Sequence, residues 1–201
     1  MPDLRLLSFL DLVDRSRTDP RALAELEARY RTDAAILVID FTGMVQRSDR
    51  LGLIAALADA RAAAAAVQPA IQAHGGQLIK IVADTLFAVF PSPSSALFAA
   101  FDANIQMVNF NRDRGDDPLQ ACAGLGCGGC YLIPGEDVYG AEVNRAFVLG
   151  EDVAEGGQIL VTPGFKAKLP AVPQGVGLHA ANADLAHRVG FHFFEVRDYR
   201  D

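Results

Sequence analysis

Two aspartates stand where carboxylates can do chemistry together. Asp40 ends a continuous apolar run, Ala34 to Ile39, the pattern of a strand buried on both faces. Asp84 sits with Ala83 between two further runs, Gln77 to Val82 and Thr85 to Phe90, a spacing that makes a tight hairpin. If the first strand lies beside the hairpin, both carboxylates reach one end of a sheet although far apart in sequence. Hard divalent cations prefer such oxygens. A pair of them ~3.5–4 Å apart can activate an attacking hydroxyl and stabilise a leaving phosphate oxygen. That is the chemistry of phosphoryl and nucleotidyl transfer. Taken singly, each residue has a plainer reading: Asp40 can cap a loop, and Asp84 can be an ordinary turn aspartate.

The cysteines offer less. Cys122, Cys127 and Cys130 are three, an odd number that argues against a disulfide framework. Cys127 and Cys130 form a C-x-x-C, but in a Gly-rich segment that reads as a strand and its exit, not at a helix N-terminus as redox work wants. The sequence has no second Cys pair and no nearby His for zinc. Small-residue packing is the expectation.

The elements that must position these residues read as one domain. The chain has 201 residues, about half apolar and a fifth charged, with a net charge of −7. Such a charge speaks against a general nucleic-acid binder, which carries a basic stripe, but not against a nucleotide held through metal ions. No run reaches the ~18 apolar residues that span a bilayer, and Met1 to Leu10 lacks the order of a signal peptide. A cytoplasmic protein without membrane or nucleic-acid partners is expected. Residues 3 to 30 read as two short helices, the second capped by Asp19 before Pro20. A polar stretch leads to Arg50. Residues 51 to 73 form an Ala-rich helix, disturbed near Pro69 and stopped by Gly75-Gly76. The hairpin follows, then a helix from Pro91–Ser95 to about Asn111, a strand region Leu119 to Tyr131, a helix Gly140 to Leu149, a strand Gln158 to Thr162, and a last strand within Gly190 to Arg197. The order β-α-β-β-α-β is the ferredoxin-like plan. The fold class is therefore α+β: a ferredoxin-like βαββαβ core with extra C-terminal strands and short N-terminal helices. The division is an N-terminal helical extension, 1–31, and one domain, 32–201.

Longer stretches around the aspartates carry a resemblance. Ile39-Asp40-Phe41-Thr42-Gly43-Met44 resembles the first metal motif of class III nucleotide cyclases. Gly75-Gly76, Lys80, Ala83-Asp84 and Ala88-Val89-Phe90 resemble the second signature, with Ala83 where that family usually has Gly. Gly124 to Gly128, then Asp137-Val138-Tyr139-Gly140-Ala141-Glu142-Val143-Asn144-Arg145-Ala146, resemble the third, and Gly156 to Val161 the strand that closes it. The motifs stand in the family's order over residues 34 to 162.

The resemblance implies the nucleotide cyclase fold and a homodimeric lyase with two Mg²⁺ or Mn²⁺ ions per site, held by Asp40, Asp84 and the carbonyl of Phe41. Thr42, Gly43 and Met44 would cradle phosphates with N–H groups. Lys80 and Asp137 match the adenine-selecting pair. Lysine can only donate, which suits adenine N1, while Asp can accept from the 6-amino group. Each also has a bland reading, an exposed strand lysine and a loop aspartate. Asn144 matches the residue that orients the ribose. One turn later, where the family has an Arg or Lys on the α-phosphate, this chain has Val148. Arg145 is a possible substitute or a solvated surface arginine. Arg188 is a weak match for the cation on the terminal phosphates, with Lys166 and Lys168 as others. The family's sites form across a two-fold interface, the metal aspartates from one subunit and the base pair and Asn144 from the other. The expected function is conversion of ATP to 3′,5′-cyclic AMP and pyrophosphate. The alternatives are a catalytically weak or silent cyclase-like module for nucleotide sensing or dimerisation, and a cyclase using GTP or a pyrimidine triphosphate.

Overall fold

The computed structural model describes residues 4–115 and 117–198. Two helices open it, α1 (Leu4–Ser16) and α2 (Pro20–Tyr30). The Asp19 carboxylate accepts from the Arg21 N–H and Pro20 occupies the first turn, as the sequence predicts. Strands β1 (Arg31–Phe41), β2 (Gln77–Val82), β3 (Thr85–Phe90) and β4 (Ala121–Ile133) lie in the order β2-β3-β1-β4, all antiparallel. Helices α3 (Met44–Leu51), α4 (Leu53–Ala73) and α5 (Pro93–Phe110) complete the ferredoxin-like core. Beyond it come β5 (Asp137–Tyr139), α6 (Ala141–Phe147), a π-helical turn over Val148–Val153, β6 (Ile159–Val161), α7 (Pro163–Lys168), β7 (Val176–Ala180), α8 (Ala183–Val189) and β8 (Phe194–Asp198). Strand β6 runs parallel to β4, and β8 and β7 extend the sheet from it; β5 pairs with the far end of β4.

Two elements differ from the sequence reading for physical reasons. The polar stretch before Arg50 is helix α3. Its buried residue is Arg47, whose guanidinium bonds Asp59 and Asp117 at 2.6–2.8 Å, so no apolar stripe announces it. Helix α4 passes through Pro69 without ending. The carbonyl that loses its partner is that of Ala65, which is exposed and open to water. Helix α4 is also long and apolar enough to cross a membrane by length and composition, although Asp59 and Arg61 interrupt its apolar run. In the fold it is a core helix, with Ala60, Ala63, Ala64, Val67 and Ile71 buried among the residues of α5 and the sheet.

Strand β4 explains both its glycines and its cysteines. A Cβ on Gly124 would lie 2.0 Å from the Ala146 carbonyl oxygen, and one on Gly126 would lie 2.4 Å from that of Glu142. Helix α6 therefore rests directly on the backbone of β4. Cys127 and Cys130, three residues apart, enter the two cores on opposite faces of the sheet. Burial pushes Cys130 up to about 11, Cys122 up to about 12, and Cys127 upward too. They are free, protonated packing residues.

Candidate functional site

Strand alternation sends Ile36 and Val38 to the α6 face, and Asp40 follows them; Leu37, Ile39 and Phe41 fill the opposite core. Thr85, from the neighbouring β3, joins Asp40 there. Its hydroxyl donates to Glu151 Oε2 at 2.7 Å and lies 3.4 Å from Asp40 Oδ1. Glu151 is supplied by the π-helical turn. Asp84, in the β2–β3 hairpin turn, lines a cleft of about 300 Å³ with Glu151, Met44, Val45, Ser48 and Ala83. Burial, then the charges of Glu151 and Asp84, push the Asp40 carboxyl up to about 7. Among the described residues no lysine, arginine or histidine forms an ion pair with any of the three.

An acidic site lacking a basic partner suits a divalent cation. Among the described residues no group of three or more His, Cys, Asp or Glu forms a ready cage. Two carboxylates would hold such an ion only together with oxygens of a ligand and water, the usual setting of Mg²⁺ on a nucleotide. Phe41 is buried in the core, so only its backbone can reach a ligand.

The loop after β1 is pinned to Gln120, which accepts from the Thr42 N–H at 3.0 Å and donates its own N–H to Thr42 Oγ1 at 3.2 Å. Gly43, at φ 75°, turns the chain into α3 without a side-chain cap. The N–H groups of that first turn are left for an anion. Thr42 and Gly43 also border a second open cleft with Arg47 and Arg50. Arg50 is exposed and bonded to Asp117 at 2.6 Å.

Lys80 and Asp137 meet. Lys80 Nζ lies 2.7 Å from Asp137 Oδ1 and over the ring of Phe87. Asp137 also accepts from the Val138 N–H at 2.8 Å and from the Tyr139 hydroxyl at 3.0 Å.

No protein-family model matches the sequence, and no curated protein does. Solved structures do. The adenylyl cyclase CyaB from P. aeruginosa superposes with a TM-score of 0.67 at 20% identity, over 85% of this chain and 96% of that one. An adenylate/guanylate cyclase/hydrolase from Silicibacter pomeroyi gives 0.59 at 22%, over 85% and 98%. The guanylate cyclase domain of RhGC from Catenaria anguillulae, solved with GTP, gives 0.68 at 14%, over 84% and 97%. The chain has the class III nucleotide cyclase fold.

Within this cyclase fold, the remaining candidates are spread out. Asn144 is exposed on α6. The helix under it is anchored by buried Glu142, which accepts from the Thr162 hydroxyl and from the Cys127 N–H at 3.3 Å. Arg145 is held by Glu142 at 2.6 Å and leans over Phe191. Val148 begins the π-helical turn, half-buried. Arg188 is exposed in the last turn of α8, borders neither cleft beside the loop, and is not brought to Thr42–Met44. Lys166 lies over Phe194, and Lys168 pairs with Asp33 at 3.1 Å. The sequence reading missed Thr85, Glu151, Arg47 and Arg50. A strand threonine carries no signal, and nothing in the sequence marks a π-helical turn.

Ala83 adopts φ 54°, at the hairpin position where the cyclase fold's motif usually has Gly. A left-handed alanine costs ~1–2 kcal/mol, and the added freedom of an unfolded glycine takes back ~0.4–1 kcal/mol. Ala83→Gly is expected to stabilise the protein by about 0.5–1 kcal/mol, read by urea denaturation.

Proposed function

We propose that the protein is a cytoplasmic homodimeric nucleotide cyclase converting ATP to 3′,5′-cyclic AMP and pyrophosphate. What carries the reading is that Asp40 and Asp84 converge with no basic partner while Lys80 and Asp137 pair, within one cyclase fold. Two Mg²⁺ or Mn²⁺ ions, when bound, supply activation of the ribose 3′-hydroxyl and neutralise the phosphate oxygens. Asp40, Asp84 and the Phe41 carbonyl hold them. The N–H groups of Thr42, Gly43 and Met44 orient the phosphates, with Arg50 beside the loop as a nearer cation than Arg188 for their terminal end. Lys80 donates to adenine N1 and Asp137 accepts from the 6-amino group. Asn144 orients the ribose. Homodimerisation is supported by apolar side chains left in the open around the acidic cleft: Val45 is 73% exposed, Ile54 79% and Val82 53%.

Val148 supports a second reading, a nucleotide-binding module without turnover. A cation missing from a transferring phosphoryl group costs ~10²–10³-fold in rate, and Arg145 is engaged with Glu142. Incubation with Mn²⁺ and ATP, GTP, CTP or UTP separately, with cyclic products read by mass spectrometry, decides between them. Cyclic AMP supports the proposal. Another cyclic product keeps the chemistry and overturns the base assignment. No product from a folded dimer leaves the binding module.

A further inference from the structure

Helix α1 grips the short strand that carries Asp137 on both sides of that residue. Before it, Glu136 accepts from the Leu6 N–H at 2.8 Å and pairs with Arg5 at 3.3 Å. After it, the Tyr139 ring is stacked on Phe9, with centroids 5.3 Å apart and planes 3° from parallel. Phe9 is itself buried and set edge-on against Tyr30 of α2 at 5.2 Å. Tyr139 is 38% exposed; its backbone pairs with Tyr131 of β4, and the stack on Phe9 holds its ring. Its hydroxyl donates to Asp137 Oδ2 at 3.0 Å, while Lys80 and the Val138 N–H take Oδ1. The oxygen left to accept from a base is therefore the one that Tyr139 orients.

We propose that Tyr139 is a positioning residue for base recognition, and that the N-terminal helical extension holds it in register through Phe9 and Glu136. The proposal rests on reading Lys80 and Asp137 as the base-contacting pair. It gives the extension a function within the catalytic unit: a partner or segment that displaced α1 would loosen Asp137 and weaken nucleotide binding without touching Asp40 or Asp84.

Tyr139→Phe keeps the ring stack and removes only the hydroxyl. Binding of 3′-deoxy-ATP and 3′-deoxy-GTP, which lack the attacking group, reads recognition apart from turnover. Tyr139→Phe is expected to weaken 3′-deoxy-ATP binding about fivefold, the scale of one hydrogen bond. It should also raise KM for ATP more than it lowers kcat, and narrow the ATP-to-GTP preference. Phe9→Leu should act in the same direction, and the double variant should add little to Tyr139→Phe because both act through one contact. Unchanged 3′-deoxy-ATP binding in Tyr139→Phe, with binding lost in Asp137→Ala, which removes the acceptor, would overturn the proposal and leave the base pair standing. Unchanged binding in both would overturn the base pair and the proposal together.

Discussion

Asp40→Asn is expected to abolish cyclisation and, at pH 8, to raise the melting temperature of the metal-free protein. The two effects have one cause. Asp40 is buried beside Glu151 and Asp84, and its carboxyl stands at about 7 against an ordinary 3.8. Between those values the folded chain binds the proton more tightly than the unfolded one. Stability from this group is therefore full below about pH 4 and is lost as the pH rises through 7. The loss is on the order of 2–4 kcal/mol, at 1.36 kcal/mol for each unit. Asparagine keeps the shape and removes the charge, so the variant should lose this pH dependence. On the proposed function it also loses a metal ligand, so Mn²⁺ should raise the melting temperature of the parent at pH 8 but not that of the variant. Melting curves at pH 5.5 and 8, with and without Mn²⁺, check all of this. A variant that is less stable than the parent at pH 8, or that still cyclises ATP, contradicts it.

Gly124→Ala is expected to cost about 3 kcal/mol of stability, the upper end of overpacking, and to remove activity with it. The new methyl would stand 2.0 Å from the Ala146 carbonyl oxygen and 2.6 Å from the Gly150 N–H nitrogen. Both are backbone and cannot step aside without moving α6, which carries Asn144, and the turn that carries Glu151. Gly128→Ala is the contrast: there the methyl meets the Glu142 Cγ at 3.0 Å, a side chain that can give way, and a loss of about 1 kcal/mol is expected. Urea denaturation with turnover on the same samples separates the two. Equal effects at both positions would mean that α6 does not rest on β4 as described.

These two cases show what sequence can and cannot carry. The apolar run before Asp40, the two-residue gap at Asp84 and the Gly-Gly stop are local patterns with local causes, and the ferredoxin-like core follows from their order. The run before Asp40 is apolar throughout, so the face on which Asp40 emerges comes from the structure and not from the pattern. What stayed hidden depends on pairing between distant residues. Helix α3 is anchored through its one buried residue, Arg47, and the aspartates it bonds, which no hydrophobic period reveals. Glu151, which accepts from Thr85, sits in a π-helical turn that no sequence pattern marks. The three-residue strand β5 is too short to have a period, yet it makes Asp137 a partner of Lys80. The C-terminal α7, β7 and α8 are short and partly exposed, so their patterns are weak.

A site shared between two subunits predicts that two dead enzymes can make a live one. Asp40→Asn and Asn144→Ala damage opposite halves of such a site, so each alone should be inactive. On random mixing half the dimers are mixed and each keeps one intact site of two, so about a quarter of the parent's activity should return. The measurement is cyclic AMP formation by the two variants separately and after co-refolding. Recovery to that level is the expected result. A mixture as inactive as its components, beside an active parent, would contradict a site built from Asp40 of one subunit and Asn144 of the other.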